Sequence, residues 1–166
     1  MHQHQTDRPA TGHDDAGIAA ETARIIADHA DVEGPLLPIL HAVQDRFGHI
    51  PAAVHDPIAT ALNITRAELH GVLSFYHDFR DRPAGRHVLK ICRAEACQAM
   101  GGAALAEDVQ ALLGLDWHGT TADGRVTLEP VYCLGLCACA PAAMLDGQVM
   151  GRVDAARIDA ALEADA

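Results

Sequence analysis

The cysteines are the residues of this chain whose type and spacing can do chemistry. Cys92 and Cys97 form one pair, separated by four residues, and Cys133 and Cys137 form a second, separated by three. Thiolates bind soft metals and carry out disulfide exchange. Each pair directly follows a segment that the sequence predicts to be a strand. Because neighbouring strands of one sheet bring their end loops together, the four thiolates can converge and form a ligand set.

The spacing of the cysteines bears on which cofactor they would hold. Structural zinc sites favour cysteines two to four residues apart in tight knuckles, and disulfide exchange usually needs two residues between its cysteines. The wider loops here suit a [2Fe–2S] cluster, in which each iron takes two thiolates and the pairs stand on opposite sides. A zinc-stabilised interaction module and a thiol redox protein remain open as alternatives.

The neighbours of the cysteines suit a negatively charged cluster. Cys97 precedes a predicted helix that contains Gly101, so backbone N–H groups and the positive end of a helix dipole are available. Gly135 allows the backbone to bend closely around inorganic sulfide. Arg93 is either a cation beside the cluster or a solvated surface charge. The fifth cysteine, Cys139, is interpreted as a buried, inert thiol.

The elements that must position these residues form the second half of the chain. Hydrophobic periodicity and turn residues predict a strand, a helix, a second strand, a hairpin turning at Asp146-Gly147 and a last helix. The two strands are predicted at His87–Cys92 and Val126–Val131, and the helix between them at Gly101–Leu113. The strands of the hairpin are predicted at 142–145 and 148–153, and the last helix at Asp154–Ala164. This order predicts a small α/β domain with one mixed sheet.

The first half of the chain has helical periodicity instead. Four helical segments are expected before residue 80, and they begin at Ile18, at Gly34-Pro35, at Pro51 and at a Thr65/Glu68 capping box. The second is expected to end at Gly48. The third is either one continuous helix or two short pieces. The aromatic residues Phe75, Tyr76 and Phe79 are expected in the core or between domains. The predicted divisions are a disordered tail 1–16, a helical domain 17–82 and an α/β domain 83–166.

Composition limits the classes of function. The chain has 166 residues and a net charge of −11, and it shows no basic stripe, which argues against nucleic-acid binding. No apolar stretch is long enough to span a bilayer, and the polar first residues do not look like a signal peptide, so a cytoplasmic location without membrane insertion is expected. An odd number of cysteines also fits a disulfide framework poorly.

The motifs resemble those of a known family. Residues 92–97 (CRAEAC) and 133–141 (CLGLCACAP), with 71–79 (GVLSFYHDF) before them, are similar to thioredoxin-like [2Fe–2S] subunits of flavin-containing, NAD-linked dehydrogenases. The segment 120–128 (TTADGRVTL) also looks like the connection into the family's second cysteine pair. The resemblance covers roughly residues 18–157. Within the family, residues 92–102 (CRAEACQAMGG) look most like the gamma subunit of soluble NAD-dependent formate dehydrogenase.

The resemblance implies an α+β fold, with a four-helix region followed by a thioredoxin-like α/β domain with a mixed sheet. It implies a non-catalytic electron-transfer subunit of a cytosolic formate dehydrogenase. Its partners would be an FMN and iron–sulfur subunit that binds NAD and a molybdenum-containing subunit that oxidises formate. The equivalent subunit of complex I or of an NAD(P)-linked hydrogenase is the alternative. One [2Fe–2S] cluster would be held by Cys92, Cys97, Cys133 and Cys137.

Overall fold

A computed structural model describes residues 15–164 and has the α+β fold that was expected. The tail predicted for residues 1–16 lies outside the described residues, except for Asp15 and Ala16, with which the first helix begins. The elements in chain order are α1 Asp15–Asp28, α2 Leu36–Phe47, α3 His55–Ala61, α4 Arg66–Phe75, β1 His87–Cys92, α5 Glu95–Ala99, α6 Gly102–Leu113, β2 Val126–Val131, β3 Ala142–Leu145, β4 Gln148–Gly151 and α7 Ala155–Ala164. The chain divides into two compact units between Pro83 and Ala84.

The first unit is helical, and its helix ends follow the sequence signals. Helix α2 begins after Pro35 and ends at Gly48, which has a left-handed φ of 77° and donates its N–H to the Gln44 carbonyl. Helix α4 begins with the predicted capping box: the Glu68 N–H donates to Thr65 Oγ1 over 3.1 Å, and the Thr65 N–H donates to Glu68 Oε2 over 2.7 Å. The third helical segment is in two pieces, a 3₁₀ turn at Ala52–Val54 and then α3.

Of the three aromatic residues expected in the core or between domains, only Phe79 lies in the core of the first unit. Phe79 is 9% exposed and belongs to the helical core, but Phe75 is 72% and Tyr76 43% exposed. Helix α4 buries only Leu69 and ends at Phe75, where the backbone becomes extended. The core of this unit is therefore filled by aliphatic side chains: Ile25, Ile39, Leu40, Val43, Ile50, Val54, Ile58 and Leu69, with Ala59 and Phe79 beside them.

The second unit contains a four-stranded mixed sheet with the strand order β2-β1-β3-β4. Strands β1 and β2 are parallel and have the bounds expected from the sequence, with Cys92 opposite Val131 in the register. Strand β3 runs antiparallel to β1 and to β4. The hairpin turns at Asp146 and Gly147, both at positive φ, as a tight two-residue hairpin requires. Strand β4 ends at Gly151, two residues before the predicted end.

The core of the second unit fixes the strands that lead to the cysteines. Alternate residues of the strands, such as Leu89 and Ile91 of β1, pack with residues of α6 and α7, and burying each such side chain contributes roughly 1.5–3 kcal/mol. Cys92, the next residue after Ile91, belongs instead to a separate small cluster with Cys97, Ala140 and Ala142. The end of β1 thus packs on one side against the core of the second unit and on the other against the small group of buried residues that includes Cys92 and Cys97.

One helix near the cysteines was not predicted. Helix α5, Glu95–Ala99, lies between β1 and α6, so Cys97 is on a helix rather than in a loop before one. Five residues are too few for a periodic signal, and so short a helix needs tertiary contacts to form. Within residues 15–164, no helix is both long and apolar enough to cross a bilayer.

Candidate metal centre

The parallel pairing of β1 and β2 brings the two cysteine pairs to one edge of the sheet. Cys92 is the last residue of β1, and Cys133 comes two residues after β2 ends. The Arg93 N–H donates to the Val131 carbonyl over 2.7 Å and extends the pairing beyond β1. Leu134 and Leu136 of the loop after β2 pack against the small buried cluster that contains Cys92 and Cys97. The convergence of the two strand-end loops, which the sequence predicted, is therefore present.

The second pair has a sulfur–sulfur spacing that is compatible with two ligands of one metal. The Sγ atoms of Cys133 and Cys137 are 4.0 Å apart. Two thiolates on one tetrahedral metal, at metal–sulfur distances of about 2.3 Å, would stand about 3.8 Å apart. The loop reaches this geometry with Cys133 at a φ of 100° and Gly135 at 76°. A positive φ at a non-glycine residue costs on the order of 1–3 kcal/mol, so the fold holds Cys133 in a strained position.

The first pair depends on a close approach between α5 and α6. Cys97 is in α5, and its side chain belongs to the same small buried cluster as that of Cys92. A Cβ placed on Gly102 would lie 2.6 Å from the Cys97 carbonyl oxygen, closer than any real contact. Gly102 is thus the residue that lets α6 start directly against α5. The expected role of α6 as a source of N–H donors to a cluster stays a prediction.

The four thiols have different exposure. Cys92 and Cys97 are 3% and 2% exposed, whereas Cys133 and Cys137 are exposed. All five cysteines of the chain are free thiols. A group bound between the pairs would be buried on one side and open to solvent or a partner on the other.

Backbone N–H groups favour the thiolate of Cys92. Burial acts to raise the pKa of this thiol, but it is outweighed by hydrogen bonds from the backbone of Ala94, from the Cys97 side chain and from the backbone of the second loop. The net result is a Cys92 pKa below the ordinary thiol value. Hydrogen bonds to a charged form stabilise it, so these donors would also stabilise a metal-bound thiolate.

The thiols of Cys97 and Cys137 have raised pKa values, so their surroundings oppose ionisation. Burial raises the pKa of Cys97, and the hydrogen bond and the charge of Cys92 raise it further. The pKa of Cys137 is raised chiefly by its hydrogen bond with Cys133 and by the charge of that neighbour. Like charges this close cannot all form unless a cation compensates them. The donor set therefore fits a metal centre that supplies positive charge at both pairs.

The geometry also bears on the number of metals. Among the described residues, no three His, Cys, Asp or Glu side chains stand close enough together to hold one metal ion. A two-iron cluster does not need such a group, because each of its irons takes two thiolates. Four thiols in two separated pairs, with N–H groups directed at sulfur, thus fit the [2Fe–2S] cluster expected from the sequence.

Two further residues of the site were only partly anticipated. Cys139 is half-buried, and a Cβ on Gly151 would lie 2.6 Å from its Cβ, so the Cβ and the backbone of Cys139 lie tightly against β4. Arg93 is half-buried, and its guanidinium carbon lies 5.1 Å from the centroid of the Trp117 ring. Trp117 was not identified from the sequence, because it is far from Arg93 in the chain and belongs to no motif.

Comparisons with known proteins agree with this chemistry. Residues 22–165 match the model of the family described as thioredoxin-like [2Fe–2S] ferredoxin. A subunit of the NADH-quinone oxidoreductase of Rhizobium meliloti (strain 1021) is 35% identical over 137 residues, which cover 82% of this chain and 82% of that protein. The HndA subunit of the NADP-reducing hydrogenase of Solidesulfovibrio fructosivorans is 32% identical, covering 80% of this chain and 78% of that one.

The fold is also similar to a solved structure. A chain of the NAD⁺-reducing [NiFe]-hydrogenase in the air-oxidized state superimposes with a TM-score of 0.65 at 32% identity. The match covers 78% of this chain but only 22% of the length of that hydrogenase chain.

Proposed function

Since this chain belongs to the thioredoxin-like [2Fe–2S] ferredoxin family, we propose that the cysteine pairs at the ends of β1 and β2 hold its [2Fe–2S] cluster. The first pair is Cys92 with Cys97 and the second is Cys133 with Cys137. The observation that carries this ligand set is the convergence of the two loops: Cys92 pairs with Val131 at the end of β2, and Leu134 of the second loop packs against the cluster of Cys92 and Cys97. The resemblance of the cysteine motifs to those of the family supports the same four residues.

The function that follows is transfer of single electrons within an oxidoreductase complex. When bound, the cluster accepts and releases one electron at a time. The protein residues bind the cluster, exclude water at Cys92 and Cys97, and direct N–H groups at sulfur. The exposed Cys133 and Cys137 are on the side through which a partner's redox centre can approach.

The partner is expected to be a flavin subunit. The names of the relatives refer to NADH, NADP and NAD⁺ as the nucleotides used. This sequence has no glycine fingerprint of a dinucleotide fold, so nucleotide binding and flavin chemistry belong to another subunit. We place that partner, an FMN and iron–sulfur subunit that binds NAD, against an apolar surface that includes Phe75 and Tyr76.

The complex that we propose is a cytoplasmic NAD-dependent formate dehydrogenase with a molybdenum-containing subunit. Its support is the resemblance of residues 92–102 to the gamma subunit of that enzyme. The names of the similar proteins support a second candidate, the NADH-oxidising part of a quinone reductase or an NAD(P)-linked hydrogenase. Both candidates use the same cluster and the same flavin partner.

Two measurements test these proposals. The protein purified without oxygen should contain two irons and two acid-labile sulfides per chain and should show a rhombic EPR signal after reduction. One zinc per chain in its place would contradict the cluster and support the zinc-stabilised module. Capture of the tagged chain from its native cells should bring a flavin subunit and a molybdenum protein. Capture with quinone-reductase or hydrogenase subunits would refute the formate proposal and leave the electron-transfer role intact.

A further inference from the structure

The loop after β2 presents two thiols in contact with each other at the surface. The Sγ atoms of Cys133 and Cys137 are 4.0 Å apart, and both residues are exposed. A disulfide bond is about 2.05 Å long, so the two sulfurs would have to approach each other by roughly 2 Å, which rotation of two exposed side chains can supply. The same two sulfurs can therefore either bind iron or bond to each other.

Hydrogen bonds within the loop maintain this arrangement. The Gly135 N–H donates to the Cys133 Sγ over 3.4 Å. Cys137 begins a 3₁₀ turn, in which the Cys139 N–H donates to the Leu136 carbonyl over 2.8 Å. Since backbone groups act on both sides of the pair, the polypeptide itself keeps the two thiols close together.

The other thiols are less accessible to an oxidant. Cys92 and Cys97 are only 3% and 2% exposed. Cys139 is half-buried, and its carbonyl accepts a hydrogen bond from the Arg152 N–H over 2.6 Å, which ties its backbone to the end of β4. The rate of thiol–disulfide exchange depends on access to the sulfur. The pair of Cys133 and Cys137 is thus the favoured site of oxidation.

We propose that Cys133 and Cys137 are a modification site, which forms a reversible disulfide bond before the cluster is inserted and prevents insertion until that bond is reduced. The inference rests on the proposed ligand set, because it requires these two sulfurs to be cluster ligands. Disulfides of cytosolic proteins are usually transient and redox-sensing. An exposed pair whose thiols are also needed as ligands fits that role.

The oxidant is a small disulfide such as glutathione disulfide. The thiolate of one loop cysteine attacks a sulfur of the oxidant and releases one glutathione. The thiolate of the other attacks the cysteine sulfur of this mixed disulfide and releases the second glutathione. Two cysteine thiols are oxidised to one disulfide, the oxidant is reduced to two thiols, and the two protons pass to the two glutathione molecules. Iron binds thiolates, so the oxidised pair is no longer a ligand.

The first test treats the full-length chain, freed of cluster and reduced, with glutathione disulfide. Two of its five thiols should be lost. Trypsin leaves the loop cysteines in one peptide, residues 126–152, and separates Cys92 from Cys97. The loop peptide should become lighter by two hydrogens at least about tenfold faster than cross-linked peptides of Cys92 and Cys97 appear. Equal rates for the two products would overturn the inference.

Cys139→Ser is the matched variant for this experiment. It should form the loop disulfide at the rate of the wild type, whereas Cys133→Ser should not form it. Loss of the disulfide in Cys139→Ser would make Cys139 one of the partners and refute the assignment. The same treatment in denaturing urea should abolish the preference for the loop. An equal preference with and without urea would contradict the proposal, because the fold would then not position the thiols.

The second test measures whether the disulfide prevents metal binding, with the cadmium ion as the probe. In Cys139→Ser, the ultraviolet absorbance of cadmium–thiolate bonds should be roughly half as large in the oxidised chain as in the reduced chain, because only Cys92 and Cys97 still offer thiolates. Equal absorbance would refute the block. Reduced wild-type protein that takes up no cluster from ferrous iron and sulfide would instead contradict the proposed function, and the loss of thiols to glutathione disulfide would be unaffected.

Discussion

The Sγ atoms of Cys133 and Cys137 lie 4.0 Å apart on an exposed loop, although Cys133 must adopt a φ of 100° to place its thiol there. Helix-like or extended backbone at this residue would be less strained, so the loop holds both thiols at the spacing of two ligands on one tetrahedral metal at a cost in backbone energy. The strain is maintained by the surrounding fold. A second hydrogen bond in the loop, from the Gly135 N–H to Cys133 Sγ over 3.4 Å, supports the same geometry.

The first prediction distinguishes the two neighbouring cysteines of the second loop. Cys137→Ser should remove or strongly destabilise the cluster, because it removes one of the two thiolates at that iron. Cys139→Ser should keep the cluster, since Cys139 is packed against Gly151 and is outside the two pairs. Iron and sulfide content and the visible spectrum measure both variants. Equal loss of iron from the two would make Cys139 a ligand.

The second prediction concerns the contact between α5 and α6. Gly102→Ala should destabilise the protein by roughly 1–3 kcal/mol, because the added Cβ would lie 2.6 Å from the Cys97 carbonyl oxygen. Displacement of Cys97 should also lower the iron content. Thermal unfolding and iron analysis measure these effects.

Gly71→Ala is the matched control for that substitution. Gly71 is inside α4, and a Cβ there meets no atom within 4 Å. Alanine favours a helix over glycine by roughly 1 kcal/mol, so this variant should be neutral or more stable. If Gly102→Ala were as stable as Gly71→Ala, the close approach would not constrain the fold.

The third prediction concerns the capping box of α4 and its pH dependence. Thr65→Ala should cost about 1 kcal/mol of unfolding free energy, and Ser74→Ala, at the exposed end of the same helix, should cost little. Hydrogen bonds from the Thr65 N–H and hydroxyl lower the pKa of the Glu68 carboxyl. Its stabilising effect is therefore present at neutral pH and is lost as the pH falls through the lowered pKa. The difference between wild type and Thr65→Ala should shrink on acidification, which urea titrations at neutral and acidic pH would measure.

The fourth prediction concerns the exposed aromatic residues of the first unit. Phe75→Ala should leave the unfolding temperature almost unchanged, because the ring is 72% exposed. If Phe75 belongs to the docking surface for the flavin subunit, its removal should weaken binding at least about tenfold, as expected for an aromatic anchor. Val149→Ala in β4, where the side chain is 52% exposed, is the control for loss of an exposed apolar group. Unchanged binding of Phe75→Ala to the purified partner would exclude this surface.

Much of the fold was predictable because its signals are local. The bounds of β1 and β2 follow from runs of β-branched and apolar residues, and the ends of α2 and α4 follow from Pro35, Gly48 and the Thr65/Glu68 box. Each of these depends on contacts within a few residues of the chain. The family, and with it the identity of the cofactor, was also predictable, since the cysteine motifs are contained in two short segments.

Other features depend on residues that are far apart in the chain, and only the tertiary structure decided them. Phe75 and Phe79 are both aromatic and four residues apart, yet only Phe79 is buried, because α4 ends between them. Helix α5 is too short to show a period and forms only against its neighbours. The contact of Arg93 with Trp117 depends on how β1 and the segment after α6 pack together, which no spacing in the sequence specifies. Residue types and spacing thus determined which chemistry the chain can hold, whereas long-range packing determined which thiols are buried and which distant side chains lie in contact.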